Sequence, residues 1–473
     1  MAKPLEGIRV LDLCRYLAGP FCCLLLAGMG AEVIKIDRPG GEPDRMLGPF
    51  APNGQNFGTL SLARNKKSIT LNLRSARGME IFRGLVKRSD IVTDSFSPTA
   101  KQALGLDYPT IREINPAIIA ASISGFGQYG PYSERRCFDP IAQAMSGAMS
   151  MCGFPGDPPT RCQVPYVDFS TGLYAALGIL LALRHREKTG RGQEVDISLM
   201  DTALSFTAHA LAEYKLLGEK YEQIGNHSRY NASDLFRAKD GWVFISLVSN
   251  PLWQRFLQAT GMEELQSDPR FSDDLARYQN RDVLDPIIGG WVAQRTVKEA
   301  MDILEKVGVP CGPVKAVTEL LDDPHVQARE TVVDVDCPQI GKVPLFGMAI
   351  KLSETPGDLK TPAPLLGEHN EEVYCGLLGF GREELAELME RVDQIYLRFG
   401  APEKLYGTDE DQVAELARRA AKAGLRLVPQ KVRHMGTDGC FRVLKAMRAY
   451  LGKRIEVRMR TVSYTHLTLP TKA

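Results

Sequence analysis

Ile8-Arg9-Val10-Leu11-Asp12-Leu13 reads as a buried strand, Phe21 to Gly28 reads as a helix after a loop through Ala18-Gly19-Pro20, and Glu32-Val33-Ile34-Lys35-Ile36-Asp37 reads as a second strand. Two strands joined through a helix make a βαβ unit, and such units build parallel sheets. Asp37, closing the second strand, invites a dinucleotide-binding reading. The glycines oppose it, because Gly28 and Gly30 follow the helix. A phosphate fingerprint needs its glycines between strand and helix.

The alternation continues outward. Ser68 to Leu73 reads as a strand, Ala76 to Lys87 as a helix, and Asp90 to Thr93 and Ile118 to Ile123 as further strands. The last of these runs into Ser124-Gly125-Phe126-Gly127-Gln128-Tyr129-Gly130-Pro131, a glycine-rich turn. Loops of this kind at strand ends are where open α/β sheets bind ligands. A helix is expected around Asp139 to Ser150, then a Gly/Pro-rich loop, then Pro165-Tyr166-Val167-Asp168-Phe169-Ser170-Thr171-Gly172 leading into the apolar run Leu173 to Leu183. That run is expected to be buried, with Asp168 near the positive end of its helix dipole. There a carboxylate would stay ionised while losing water, which suits a nucleophile. On the local sequence alone, Asp168 or Ser170 reads more simply as a helix N-cap.

From about residue 225 the character changes. Lys239-Asp240-Gly241 looks like a hairpin turn into the strand Trp242 to Leu247, and helical segments follow up to Gly308. The fold class is therefore α/β. A Rossmann-like large domain with a parallel sheet occupies 1–224, a smaller α+β domain 225–325, and 326–391 returns to the first.

The totals narrow the function. The chain has 473 residues, 44% of them hydrophobic and 24% charged, with 58 basic against 57 acidic residues. That near-neutral balance points to neither nucleic acid nor an anionic membrane as partner. The ten cysteines include no CxxC pair, so reduced thiols and a cytoplasmic setting are expected. The N-terminus has no apolar signal core, and no apolar run reads as long enough to span a bilayer. His227, His325 and His369 have no metal-ligand spacing, and no metal site is expected.

Several well-separated stretches together resemble one family. They include Ala18-Gly19-Pro20, Gly30 to Ile36, Asn65-Lys66-Lys67-Ser68, Gly125-Phe126-Gly127-Gln128, Phe138 to Gly147, Val167-Asp168 through Leu183, Thr189 to Gln193, Asp268-Pro269-Arg270-Phe271, Gly308 to Val314 and Pro364 to His369. In this order they resemble the class III CoA-transferases (the CaiB/BaiF family) over residues 5 to about 390. The resemblance implies an interlocked homodimer with CoA in a cleft between domains, acyl-CoA and carboxylic acid substrates, and no cofactor beyond CoA itself. It places the family's nucleophilic aspartate on Asp168. The family's CoA contacts fall on Tyr16, Leu17, Arg38, Leu71, Arg74, Ser95, Phe96 and Arg136. Gly125, Gly127 and Gln128 are candidates for an oxyanion-binding loop, and Phe138 for a wall of the acyl pocket.

The sequence departs from the family pattern in places. Leu17 stands where glutamine is frequent, Ser95 where asparagine is common, and Ala103 where a basic residue often precedes Leu104-Gly105. A glycine-rich lid of the formyl-CoA:oxalate type is missing, which sets oxalate apart as acceptor. The racemases of the same fold carry a His-Asp pair where this chain has Phe138-Asp139, and phenylalanine cannot shuttle a proton. A non-catalytic CoA-binding protein is the remaining alternative. Beyond Glu390 the sequence resembles something else: 392–461 looks like a fragment of an FAD-dependent dehydrogenase without its nucleotide fingerprint, and 462–473 like translated adapter DNA. Both are expected to be foreign to the fold.

Overall fold

The computed structural model describes residues 2–385. The dehydrogenase-like and adapter-like stretches lie outside them. The chain opens with β1 (Arg9–Leu13), α1 (Ala18–Gly28) and β2 (Glu32–Asp37), continues through α2 (Phe57–Leu62), β3 (Lys66–Thr70), α3 (Ala76–Val86) and β4 (Ile91–Asp94), and then through α4 (Pro98–Leu104), α5 (Tyr108–Ile114) and β5 (Ile119–Ser124). Next come α6 (Asp139–Met145), α7 (Tyr166–Thr189), β6 (Glu194–Ser198) and α8 (Leu199–Leu217). The six strands form one parallel sheet in the order β3-β2-β1-β4-β5-β6. Successive residues of a strand face opposite sides, so Val10 and Val33 enter one core with α1 and α7 while Leu11 and Ile34 enter another with α3. The order reverses direction between β1 and β4, which opens a crevice at the carboxyl ends of the strands.

A second apolar core is built by β7 (Ala232–Arg237), β8 (Trp242–Leu247), α9 (Asn250–Thr260), α10 (Asp274–Gln279), α11 (Arg281–Ala293), α12 (Val297–Lys306) and β9 (Cys311–Pro313). Phe236, Trp253, Phe256, Trp291 and Val309 fill it. The β7–β8 hairpin turns at Lys239-Asp240, where Ala238 N–H donates to the Gly241 carbonyl. After α13 (Pro324–Ala328), the antiparallel pair β10 (Val332–Cys337) and β11 (Gly341–Phe346) leads back to the first body. There Met348 and Leu359 join the core under α1, and Val373 and Tyr374 join the core under α3. The fully buried Arg64 pins the return by donating to the carbonyls of Ser61, Phe346 and Leu359.

Helix α7 departs from expectation in three ways. It begins at Tyr166, so Asp168 and Ser170 are already helical and neither is the N-cap. Only one face is buried, through Val167, Thr171, Ala175, Ile179 and Ala182, while Leu177 is 53% and Leu181 62% exposed. Finally, its 24 residues are long and apolar enough to cross a membrane by length and composition alone, contrary to the sequence reading. Here it packs against α1 instead. Gly172 allows that contact, since a Cβ there would sit 2.6 Å from the Ala18 carbonyl.

Candidate active site

A cleft of about 370 Å³ beside this crevice is lined by Tyr16 and Leu17 after β1, Lys35 of β2, Asp44, Arg45 and Leu47 beyond it, Asn56 and Thr59, Lys66 of β3, and Phe138 and Asp168. Four residues singled out from sequence, Tyr16, Leu17, Phe138 and Asp168, therefore share one space. All of the lining comes from residues 16–168, which belong to the first body.

Asp168 sits in the first turn of α7, where the helix dipole favours an anion. Burial outweighs that help, and the neighbouring Asp139 carboxylate adds repulsion, so the carboxyl is pushed up to about 7. The sequence expectation that it stays ionised is thereby corrected: near neutrality both forms are populated. Cys137, beside it, is pushed up to about 11 by burial and by Asp168, and so is held as a thiol. A neutral thiol does not compete with the carboxylate as nucleophile.

The walls are shaped by strain and stacking. Tyr16 adopts a left-handed backbone (φ 66°), unusual for a non-glycine residue, and donates its N–H to Asp44 Oδ2 at 3.1 Å. Its ring meets Phe138 edge-on with centroids 4.9 Å apart. Phe138 is half-exposed to the cleft and carries no proton-transfer group.

Beneath lies a buried ionic floor that sequence reasoning missed. Lys66 donates to Asp12 Oδ2 and to the Pro20 carbonyl, both at 2.9 Å. Arg45 grips Asp37 through Nε at 3.0 Å and Nη2 at 2.7 Å, and Lys35 donates to the Cys14 carbonyl and lies 3.6 Å from Asp37. Burial pushes the Asp12 carboxyl up, but Lys66 and Lys35 outweigh it and hold the group below its ordinary value. Asp37, the residue that invited a dinucleotide-binding reading, is thus occupied by Arg45. The only signal in the sequence was the presence of charges inside apolar strands.

The remaining candidates line the carboxyl edge of the sheet without reaching this cleft. Arg38 is exposed after β2, its Nε donating to the Gly41 carbonyl. Leu71 is buried in the core beside Ile69, and Arg74 is exposed. Ser95 Oγ accepts from Arg15 N–H, and the Phe96 ring lies 4.9 Å under the Arg15 guanidinium. Arg15 itself was not anticipated. Arg136 is exposed on the loop before α6. These positions follow β1 to β5, with Arg136 the one that comes after β5.

In the glycine-rich loop the amides are already engaged. Gly127 N–H donates to Ser124 Oγ and Gln128 N–H to Asp196 Oδ2, while Gln128 Nε2 donates to the Phe96 carbonyl. Gly127 has φ +83°, a conformation suited to glycine, and a Cβ on Gly125 would fall 2.3 Å from Cys137 Cβ. The loop is a tight strap across the β5 end. Gly127 and Gln128 spend their N–H groups on it and do not offer them to an oxyanion in this conformation.

Among the described residues two groups of side chains come close enough to share a cation: Asp12, Cys14 and Cys23, and His227, Asp234 and Asp285. The first is fully buried, with Asp12 committed to Lys66. In the second, His227 Nδ1 lies 3.2 Å from Asp234 and 3.6 Å from Asp285, a clasp invisible in the spacing of the sequence. Neither touches the cleft.

A doubly wound sheet with a desolvated carboxylate at its carboxyl edge, in a cleft floored by fixed charges, has the build of an α/β group-transfer enzyme. Comparison with known proteins gives the family. Residues 5–370 match CoA-transferase family III, and the chain belongs to it. It is 38% identical over 392 residues to succinyl-CoA–D-citramalate CoA-transferase of Chloroflexus aurantiacus, covering 82% of this chain and 98% of that one. It is 36% identical over 401 residues to formyl-CoA:oxalate CoA-transferase of Streptomyces coelicolor, covering 81% and 97%. Among solved structures, a CaiB/BaiF family protein from Brucella suis superposes with a TM-score of 0.72 at 32% identity, over 80% of this chain and all of that one. The protein is a class III CoA-transferase.

Proposed function

We propose that the enzyme moves CoA from an acyl-CoA to a carboxylic acid through covalent intermediates on Asp168. A desolvated carboxylate in the cleft wall carries this reading. The carboxylate oxygen attacks the thioester carbonyl, the C–S bond breaks, and CoA thiolate leaves a mixed anhydride. The thiolate then attacks the aspartyl carbonyl, releasing the donor acid and forming an aspartyl-CoA thioester. The acceptor carboxylate attacks that thioester and expels the thiolate. Attack of the thiolate on the acceptor's acyl carbon forms the new acyl-CoA and regenerates Asp168. Each step exchanges one activated acyl group for another of similar energy, so the sequence needs no cofactor besides its CoA substrate.

Tyr16, Leu17 and Phe138 line the cleft with Asp168, which supports a role for them as walls around the acyl group. Arg38, Arg74 and Arg136, exposed on the segments that follow β2, β3 and β5, suit the phosphates and ribose of CoA. The relatives named for succinyl-CoA, citramalate and oxalate make succinyl-CoA and small di- or hydroxy-acids the first substrates to try. The half-exposed apolar face of α7 and the exposed Phe206, Leu211, Tyr214, Leu216 and Leu217 of α8 suit burial against a second copy, supporting a homodimer. Nine free cysteines among the described residues suit a reducing cytoplasm. The absence of an ionisable group at Phe138 disfavours α-proton exchange.

The test is incubation with acyl-CoA followed by peptide mapping, alongside Asp168→Ala. We expect a CoA adduct on the Asp168 peptide, and a variant that still binds CoA but exchanges no acyl group. Full exchange by Asp168→Ala, or deuterium entering the substrate α-carbon without an acceptor acid, would replace this mechanism.

A further inference from the structure

Helix α7 starts in an unusual way. Its N-cap, Pro165, offers no side-chain acceptor, yet the first amides of the helix are satisfied. The acceptor comes from another helix: Asp139 Oδ2 takes the N–H of Val167 at 2.9 Å and of Asp168 at 3.2 Å. Asp139 is buried at the first position of α6, and its other oxygen accepts from Gln143 Nε2 at 2.6 Å. Gln143, also buried, clasps the Cys162 backbone in both directions, Oε1 accepting from its N–H at 2.9 Å and Nε2 donating to its carbonyl at 3.2 Å. One carboxylate and one amide thus tie together the Phe138 wall of the cleft, the loop before α7 and the backbone of Asp168.

We propose that Asp139, held by Gln143, is a positioning residue that aims Asp168 into the cleft and sets the pH at which it becomes a nucleophile. The inference rests on the covalent role of Asp168. A helix start can be capped by neutral Ser, Thr or Asn. A buried carboxylate used for the purpose puts a second negative charge beside the one that reacts, and like charges raise each other's proton affinity. The remaining titratable groups facing these two carboxylates are Cys137 from the loop before α6, Tyr16 after β1, Lys35 of β2, Asp44 and Arg45 beyond it, Lys66 of β3, and, on the Asp139 side, Tyr166 of α7 and Cys162 of the loop before it. Lys35, Arg45 and Lys66 are engaged by Asp37, Asp12 and backbone carbonyls. Asp139 is therefore the charge that donates nothing to neutralise Asp168 and sits on its own backbone.

Asp139→Asn keeps an oxygen for the α7 amides and deletes the charge. Gln143→Met keeps the charge and removes its hydrogen-bond donor. The pH–rate profile of acyl exchange in the two variants is the test, with kcat and KM separated. We expect the acid limb to move down by about half a pH unit or more in Asp139→Asn and up in Gln143→Met, with KM changed less than kcat. Asp139→Ala, which also removes the cap, should lose far more kcat than Asp139→Asn. Either folded variant keeping the wild-type midpoint, or Asn performing no better than Ala, would reduce Asp139 to a structural cap. An active Asp168→Asn control would instead sink the covalent mechanism, so the two failures are told apart.

Discussion

Asp168→Asn should make the protein more stable, and only in part of the pH range. In the folded protein the carboxyl titrates at about 7, against 3.8 for a free side chain. Between those values the folded state holds a proton that the unfolded chain has lost. Wild-type stability therefore falls as pH rises across that window and levels off above about 7. At about 1.4 kcal/mol per pH unit the full cost of ionising Asp168 is about 4 kcal/mol, and the part of the carboxylate still in contact with water reduces the expected effect to about 2–4 kcal/mol. Asparagine is nearly isosteric and carries no charge to desolvate. Among the described residues the Asp168 carboxylate accepts no hydrogen bond that the substitution would break. Urea unfolding of both proteins at matched concentration from pH 4 to 9 measures the difference. We expect Asp168→Asn to be ahead by about 2–4 kcal/mol at pH 8, with the advantage shrinking toward zero near pH 4. Other raised carboxyls are common to both proteins and cancel. Equal stabilities at pH 8, or a gap that ignores pH, would refute the claim that the site strains its nucleophile.

Two further outcomes follow from the packing. Arg64→Ala strips three carbonyls of their donor and removes a guanidinium stacked 4.7 Å over Phe346, so it should cost about 3–5 kcal/mol in denaturant unfolding and loosen the segment after β11. Hydrogen exchange over residues 346–361 should rise with it. The pair Leu177→Glu and Leu181→Glu, one turn apart on the exposed face of α7, should convert a dimer to monomer by light scattering without unfolding the chain. An unchanged assembly would place the partner surface elsewhere.

The opening βαβ unit was legible because a buried parallel strand writes itself as a continuous apolar run, and the strands from Arg9 to Ser198 duly form the six-stranded sheet. The hairpin at Asp240-Gly241 was legible for a similarly local reason. The start of α7 was not. Its cap is Asp139, 28 residues before Val167, and spacing within a helix carries no trace of an acceptor supplied from outside it. The buried floor of the cleft escaped for the same reason: Lys66 and Asp12 are 54 positions apart.

By itself the sequence determined the strand and helix order, the placing of loops at strand ends, and the candidacy of Asp168, because periodicity and turn chemistry act over a few residues. Tertiary structure alone decided that Asp168 is helical and not a cap, that it is desolvated beside a second carboxylate, that one face of α7 stays bare, and which charges pair beneath the cleft. Burial and Coulomb interactions depend on distance through space, and the chain brings those partners together only when the sheet has closed.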